Sequence, residues 1–187
     1  MIKMNESTDE EIKAIYQKDR EEGFRLLYCK YAEKLLAVCR LYSTDEGDAM
    51  DSLHESMLKA NGKMTTYHCE GEGSLFKWLS RIAVNHMIDR IRKSKRLSFI
   101  DLSSNMDYPQ SEPDEASIIP VEEMYKMIGS LTPARRLVFN LYYIERYSRN
   151  EIAERLGITP DGVSATLWKA RKDLSKMIVE YYKRNEL

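Results

Sequence analysis

Arg81, Arg90, Arg92, Lys93, Lys95 and Arg96 crowd one short stretch in which Asp89 is the single acid, and Lys169, Arg171 and Lys172 form a second basic cluster near the C-terminus. Cations at this density do one kind of chemistry well, which is to neutralise phosphates. Groups that would break bonds do not assemble into sets. No Ser/His/Asp or Cys/His arrangement is discernible, and neither HExxH nor a phosphate-cradling glycine loop occurs, so no catalysis is expected. His68 beside Cys69, with His54 and His86 far off, fits no zinc spacing. No metal, cofactor or small-molecule substrate is expected. Cys29, Cys39 and Cys69 are odd in number and lack CxxC spacing, which suits reduced thiols in a cytoplasm.

Total charge says little, because 29 basic side chains meet 30 acidic ones for a net charge of −1. Its distribution is more informative. Residues 1–96 hold 17 basic and 16 acidic side chains, and 126–187 hold 12 and 7. Between them, Leu97 to Tyr125 has no Lys or Arg but carries Asp101, Asp107, Glu112, Asp114, Glu115, Glu122 and Glu123. Residues 101–118 mix acid with Ser, Asn and Pro and show no apolar period, as a linker does. The expected layout is a domain at 1–96, an acidic flexible linker at 97–120 and a second domain at 121–187.

The elements that must position the cations read as helices. Among 187 residues, 43% apolar, only eight Gly and five Pro occur, and strand signals are nearly absent, so the fold class is all-α. No apolar run is long enough to span a membrane, and the first residues lack the apolar core of a signal peptide. Thr8-Asp9-Glu10-Glu11 opens a first helix, Phe24 to Tyr42 repeats apolar residues at three and four, and Ser43-Thr44-Asp45-Glu46 opens a third helix that Asn61-Gly62 should end. Thr65 to Ser74 reads as a loop or broken helix. From Leu75 to about Lys95 a strong helix puts Leu75, Trp78, Leu79 and Ile82 inward, with Lys77, Arg81, Asn85, Asp89 and Arg92 on its polar side.

The second block places Val121, Met124, Ile128 and Leu131 on one stripe, then starts a helix at Thr132-Pro133 with Leu137, Leu141 and Ile144 inward. Ser148-Arg149-Asn150-Glu151 is a capping box, Gly157 suits a left-handed turn, and Thr159-Pro160-Asp161 caps a final helix. A short capped helix, a glycine turn and a second capped helix with a basic exposed side together read as a helix-turn-helix. With Val163 inward and about 100° per residue, Asp161, Ala165, Trp168, Lys169 and Lys172 point outward, with Ser164 and Arg171 on the shoulder where phosphate contacts fall. The same pattern also suits a four-helix unit with a solvated charged face.

The stretch from Leu131 to Leu174, with Leu131, Arg136, Glu151-Ile152-Ala153, Leu156-Gly157-Ile158, Val163 and Ala170-Arg171, resembles region 4 of bacterial sigma factors. AMDSLHESMLKA and SLFKWLSRIAVNHMIDRIRKSKR resemble region 2, the first its polymerase-binding helix and the second its promoter −10 helix. Two such domains on a short linker resemble the extracytoplasmic-function type, and nearly the whole chain is covered.

That resemblance implies a transcription initiation factor that joins RNA polymerase core and leads it to promoter DNA, opening the strands. Polymerase binding would fall to Asp51, Leu53, His54, Glu55 and Met57, with Leu53 and Met57 either contacts or core. His54 and Met50 stand where the family often has Gln and Glu. The −10 element would be met by Tyr67 and His68 in a base-capturing loop and by Lys77, Arg81, Asn85, Arg90 and Arg92. The −35 element would be met by Arg149, Ser164, Ala165, Trp168, Lys169, Arg171 and Lys172, with Trp168 either touching DNA or packing. The resemblance also implies an anti-sigma partner, often membrane-bound. The competing reading is a stand-alone helix-turn-helix regulator that binds duplex operator DNA, which leaves the pattern of residues 49–96 without a role.

Overall fold

A computed structural model describes residues 7–43, 45–93 and 119–185. Helices α1 (Asp9–Lys18), α2 (Arg20–Tyr42), α3 (Glu46–Lys63) and α4 (Ser74–Lys93) precede α5 (Val121–Ser130), α6 (Pro133–Tyr143), α7 (Arg149–Leu156) and α8 (Pro160–Asn185). No strand occurs among the described residues, and none of their helices is long and apolar enough to cross a membrane. The chain divides into two compact units, Met1–Asp89 and Arg90–Leu187. Almost all of the acidic stretch expected as a linker lies outside the described residues, as do Lys95 and Arg96.

Helix starts in the first unit follow from short polar side chains. Thr8 and Glu11 form a reciprocal capping box on α1, Asp19 accepts the Glu21 and Glu22 amides at 3.0 and 3.1 Å, and Asp45 accepts the Asp48 amide at 2.8 Å. Behind these caps, Ile12, Leu26, Leu27, Leu35, Leu53, Met57, Leu75 and Leu79 are almost wholly buried in one core. Each contributes about 2 kcal/mol of transfer free energy. α3 ends one residue past the expected Asn61-Gly62. The helix continues to Lys63 and tightens into a 3-10 turn at Met64–Thr66, because Met64 is buried and Tyr16 Oη donates to the Asn61 carbonyl and side-chain oxygens at 2.7 and 2.6 Å in turn.

α1 and α2 approach so closely at Gly23 that a Cβ there would lie 2.3 Å from Tyr16 Cα and 2.6 Å from its amide nitrogen. Backbone atoms cannot swing aside. Gly23→Ala is expected to destabilise the protein by about 2 kcal/mol, read as a lower urea midpoint. An unchanged midpoint would show that the two helices separate freely.

In the second unit, Met127, Ile128 and Leu131 at the α5 end bury against Ala170 and Leu174 of α8, with Met124 and Met177 beside them. Arg136 Nη1 donates to the Gly129 carbonyl at 2.9 Å and holds the α5–α6 corner. Pro133 opens α6, and Ser148 with Glu151 closes a capping box on α7. The Glu151 carboxyl is held below the usual range by hydrogen bonds from the Ser148 hydroxyl and amide. Gly157 takes the left-handed conformation (φ 69°) that turns the chain from α7 into α8, and Thr159 Oγ1 accepts the Gly162 amide at 3.0 Å. Ile144 does not continue the α6 stripe. It is the C-cap residue and 40% exposed, and the chain beyond bends so that the Tyr147 amide returns to the Leu141 carbonyl at 3.0 Å.

Candidate functional site

On α3 the inward side is filled by Ala49, Leu53, Met57 and Ala60, which leaves Asp51, His54 and Glu55 exposed on the other. Leu53 and Met57 are 2% and 1% exposed, so of the five residues assigned to polymerase binding these two are core residues and cannot touch a partner directly. The helical period that aligned them with the carboxylates is the same period that buries them. Leu58, which the sequence reading did not single out, is 65% exposed beside His54 and Glu55. A leucine outside the core stripe was the available signal.

The α3 face is tied to α4 by a buried imidazole. His86 on α4 is 5% exposed, with Lys59 Nζ 2.5 Å from Nδ1 and a Glu55 carboxylate oxygen 3.0 Å from Nε2. An ammonium has only protons to give, so Nδ1 accepts and Nε2 carries the ring hydrogen, which makes no hydrogen bond among the described residues although Glu55 lies close by. Lys59 and His86 were absent from the sequence assignments because the contact spans 27 residues.

Residues 67–73, between the 3-10 turn and α4, are fixed by polar contacts. Ser74 Oγ accepts the Glu70 amide at 3.1 Å and donates to the Gly71 carbonyl at 2.6 Å, and lies 2.5 Å from Tyr67 Oη. Gly71 and Gly73, at φ 100° and 85°, supply the turns. Tyr67 is 4% exposed and its ring lies 5.0 Å from that of Trp78, so it plugs the core instead of offering a platform to a base. An aromatic residue in a polar, aperiodic segment carries no sign of which way it turns. His68 stays exposed.

The far end of this loop is anchored by α1. Asp9 is fully buried, and its carboxylate accepts the Leu75 amide at 3.0 Å, the Tyr31 hydroxyl, and Lys30 Nζ at 3.2 Å. It thus caps α4 from 66 positions upstream. Glu72 accepts the Asp9 amide at 3.0 Å and Lys30 Nζ at 2.5 Å. Burial alone would raise the Asp9 carboxyl, but Tyr31, the Leu75 amide and Lys30 outweigh it and hold the group below its ordinary range. Burial and the Asp9 carboxylate push the Tyr31 hydroxyl well up, which keeps it a donor.

Beyond this anchor α4 exposes Lys77, Arg81, Asn85, Asp89 and Arg92 in a row in which Asp89 is the one acid, while Arg90 is half-buried. Trp78 lies half-buried against the core, on the inward side where its period put it.

On α8 the structure departs from the simple helical wheel. Ala165 is 3% exposed, so it cannot read DNA from the outward face. α8 packs on both α6 and α7, which widens its buried arc beyond the stripe centred on Val163. Ser164 Oγ donates to the Pro160 carbonyl at 3.1 Å and Thr166 Oγ1 to the Gly162 carbonyl at 2.7 Å, so both hydroxyl protons are turned into the helix. Trp168 is half-buried, with Lys172 Nζ 4.9 Å from its ring centre. Lys169 and Arg171 are half-buried and Lys172 exposed. Arg149, at the first position of α7, is exposed and lies 5.9 Å from the Tyr142 ring. No group of His, Cys, Asp and Glu suited to a metal ion occurs among the described residues.

Both halves match known families. Sigma-70 region 2 matches residues 27–97 and Sigma-70, region 4 matches residues 122–174. The chain is similar to the ECF RNA polymerase sigma factor SigX of Bacillus subtilis (strain 168), 29% identical over 83% of this chain and 84% of that one. It is also similar to the ECF RNA polymerase sigma factor SigM of Mycobacterium tuberculosis (strain ATCC 25618 / H37Rv), 25% identical over 93% and 86%. Among solved structures, that of CnrH in complex with the cytosolic domain of CnrY is 21% identical over 90% of this chain and 96% of that one, with a TM-score of 0.45. With an all-helical first unit carrying a basic helix, a helix-turn-helix in the second, and both family regions matched in chain order, the chain belongs to the sigma-70 family as a transcription initiation factor of the extracytoplasmic-function group.

Proposed function

We propose that the first unit docks on RNA polymerase core through Asp51, His54, Glu55 and Leu58 on α3. Helix α4 and the loop before it engage the −10 strand through His68, Lys77, Arg81, Asn85, Arg90 and Arg92. The second unit engages the −35 duplex through Arg149, Trp168, Lys169, Arg171 and Lys172. Bond-making stays with the polymerase, and the factor works by positioning. The observation that carries this reading is the division of charge on one bundle: an acidic outward side on α3, a basic exposed row on α4, and the Glu55–His86 contact between the two helices. A cytoplasmic location and control by an anti-sigma factor, membrane-bound or free, complete the proposal.

On α8, inward-turned hydroxyls leave Trp168 and the cations as the groups available to a groove. Phosphate affinity then rests on Lys169, Arg171 and Lys172, and Trp168 supplies apolar contact to a thymine methyl or a sugar. Run-off transcription with core polymerase, with and without this protein, tests the whole. Transcripts are expected only with the factor. Arg81→Ala is expected to lower strand opening about 10-fold, whereas Lys172→Ala lowers promoter affinity about 5-fold and reduces the salt slope by about one. Transcription unchanged by either variant would remove that surface from the reading.

A further inference from the structure

Among the described residues a positive φ occurs at Gly71, Gly73, Gly157 and one residue that is not glycine, Arg146 at φ 61°. In this left-handed region the Cβ of any L residue crowds the following carbonyl oxygen, and only glycine escapes the penalty. Asn or Asp would at least bond its own backbone there; Arg has no such local compensation. The turn itself is needed, since it carries the chain from α6 into the capping box of α7 and brings the Tyr147 amide back to the Leu141 carbonyl. Glycine would serve it better than arginine.

Nothing among the described residues of the unit explains the choice. Arg146 is exposed, and no carboxylate or carbonyl among the described residues takes its guanidinium. Its neighbours are engaged: Arg149 lies over the Tyr142 ring, Arg155 sits 4.3 Å from the Tyr147 ring centre, and Glu151 is held by Ser148. Among the described residues Arg146 therefore has no partner, and it lies two residues ahead of the α7 cap. In a helix-turn-helix the first helix crosses the sugar-phosphate backbone while the second enters the groove. A strained residue held in place by its surroundings points to a role outside the fold.

We infer that Arg146 is a DNA phosphate contact, gripping the backbone beside the start of α7 while it destabilises the unit that carries it. This rests on the reading of the second unit as a duplex-binding module. Arg146→Gly should then move two properties in opposite directions. Thermal stability rises by about 2–4 °C as the crowding is relieved. Promoter affinity of the holoenzyme falls about 5-fold near physiological salt, and the slope of log K against log salt becomes shallower by about one. Arg146→Lys keeps the charge and should lose less affinity.

The probe is a duplex selected by wild-type holoenzyme from a randomised pool, with single neutral methylphosphonate linkages scanned across its upstream half. One linkage that weakens wild type should leave Arg146→Gly unaffected. Unchanged affinity and salt slope in Arg146→Gly would overturn the contact, as would equal sensitivity of both proteins to every linkage. A fall in thermal stability would overturn the premise that arginine is strained there. Failure of wild-type holoenzyme to select any duplex would overturn the promoter reading itself, and this contact with it.

Discussion

Asp9→Ala is expected to destabilise the protein by about 3 kcal/mol at neutral pH. The alanine leaves the Leu75 amide, the Tyr31 hydroxyl and the Lys30 ammonium without their shared acceptor. Two of these donors are buried, and the third loses half of its Asp9–Glu72 clasp. Because the Asp9 carboxyl sits below its ordinary value of 3.8 in the folded chain, it binds protons less readily there than when unfolded. Its contribution is therefore fully present above about pH 4 and is lost as pH falls through the lower folded value. The difference between wild type and Asp9→Ala should be constant from pH 8 to 5 and shrink on further acidification. Chemical denaturation across that range measures it, and a difference that grew with acid would contradict the assignment. Loss of this anchor should also loosen residues 67–73, seen as faster amide exchange at Leu75 than at Leu35.

Asp51→Arg is expected to weaken assembly with polymerase core about 30-fold or more, with stability unchanged within about 0.5 kcal/mol. The carboxylate is exposed, and no partner holds it among the described residues, so folding loses nothing. At a docking face the reversed charge faces the wrong sign of potential, and like-charge juxtaposition costs about 2 kcal/mol or more. Competition against the wild-type factor for a limiting amount of core polymerase gives the ratio directly. Equal competition would place the docking face elsewhere. Glu55 is the less clean choice for this test, because its contact with His86 means that a change there also disturbs α4.

Local signals carried most of the helical layout. Thr8 with Glu11 and Ser148 with Glu151 cap helices through bonds three residues apart, and Pro133 and Gly157 act on their own backbone. Such features can be read because cause and effect lie within one turn of chain. Where packing against a second neighbour decides, the reading failed. Ala165 faces away from Val163 on a wheel, yet α6 and α7 together cover both directions. Tyr67 looked available to a base, and the fold turns it inward against Trp78. The Asp9 cap on α4 and the Lys59–His86–Glu55 contact join residues far apart in sequence, and no period announces them. Arg146 was missed for the opposite reason: its anomaly is a dihedral angle, and arginine is an unremarkable residue to meet in a turn.

Family membership was legible because it rests on a pattern spread over both units, whereas individual contacts depend on which side of a helix is left open. That distinction separates Leu53 and Met57, which the fold buries, from Asp51 and Glu55, which it exposes. It also explains why the net charge of −1 did not mark a nucleic-acid binder. Basic side chains are concentrated on α4 and α8 and are offset by acids elsewhere in the chain, so the average conceals them.

Permanganate reactivity of promoter thymines, with core polymerase, with the factor, and with both, tests the central claim most directly. Unpaired thymines near the start site are predicted only when both are present, and their signal should drop with Arg81→Ala. Tight capture of intact duplex by the factor alone, with no opening and no gain from polymerase, would contradict the account and favour an operator-binding regulator instead.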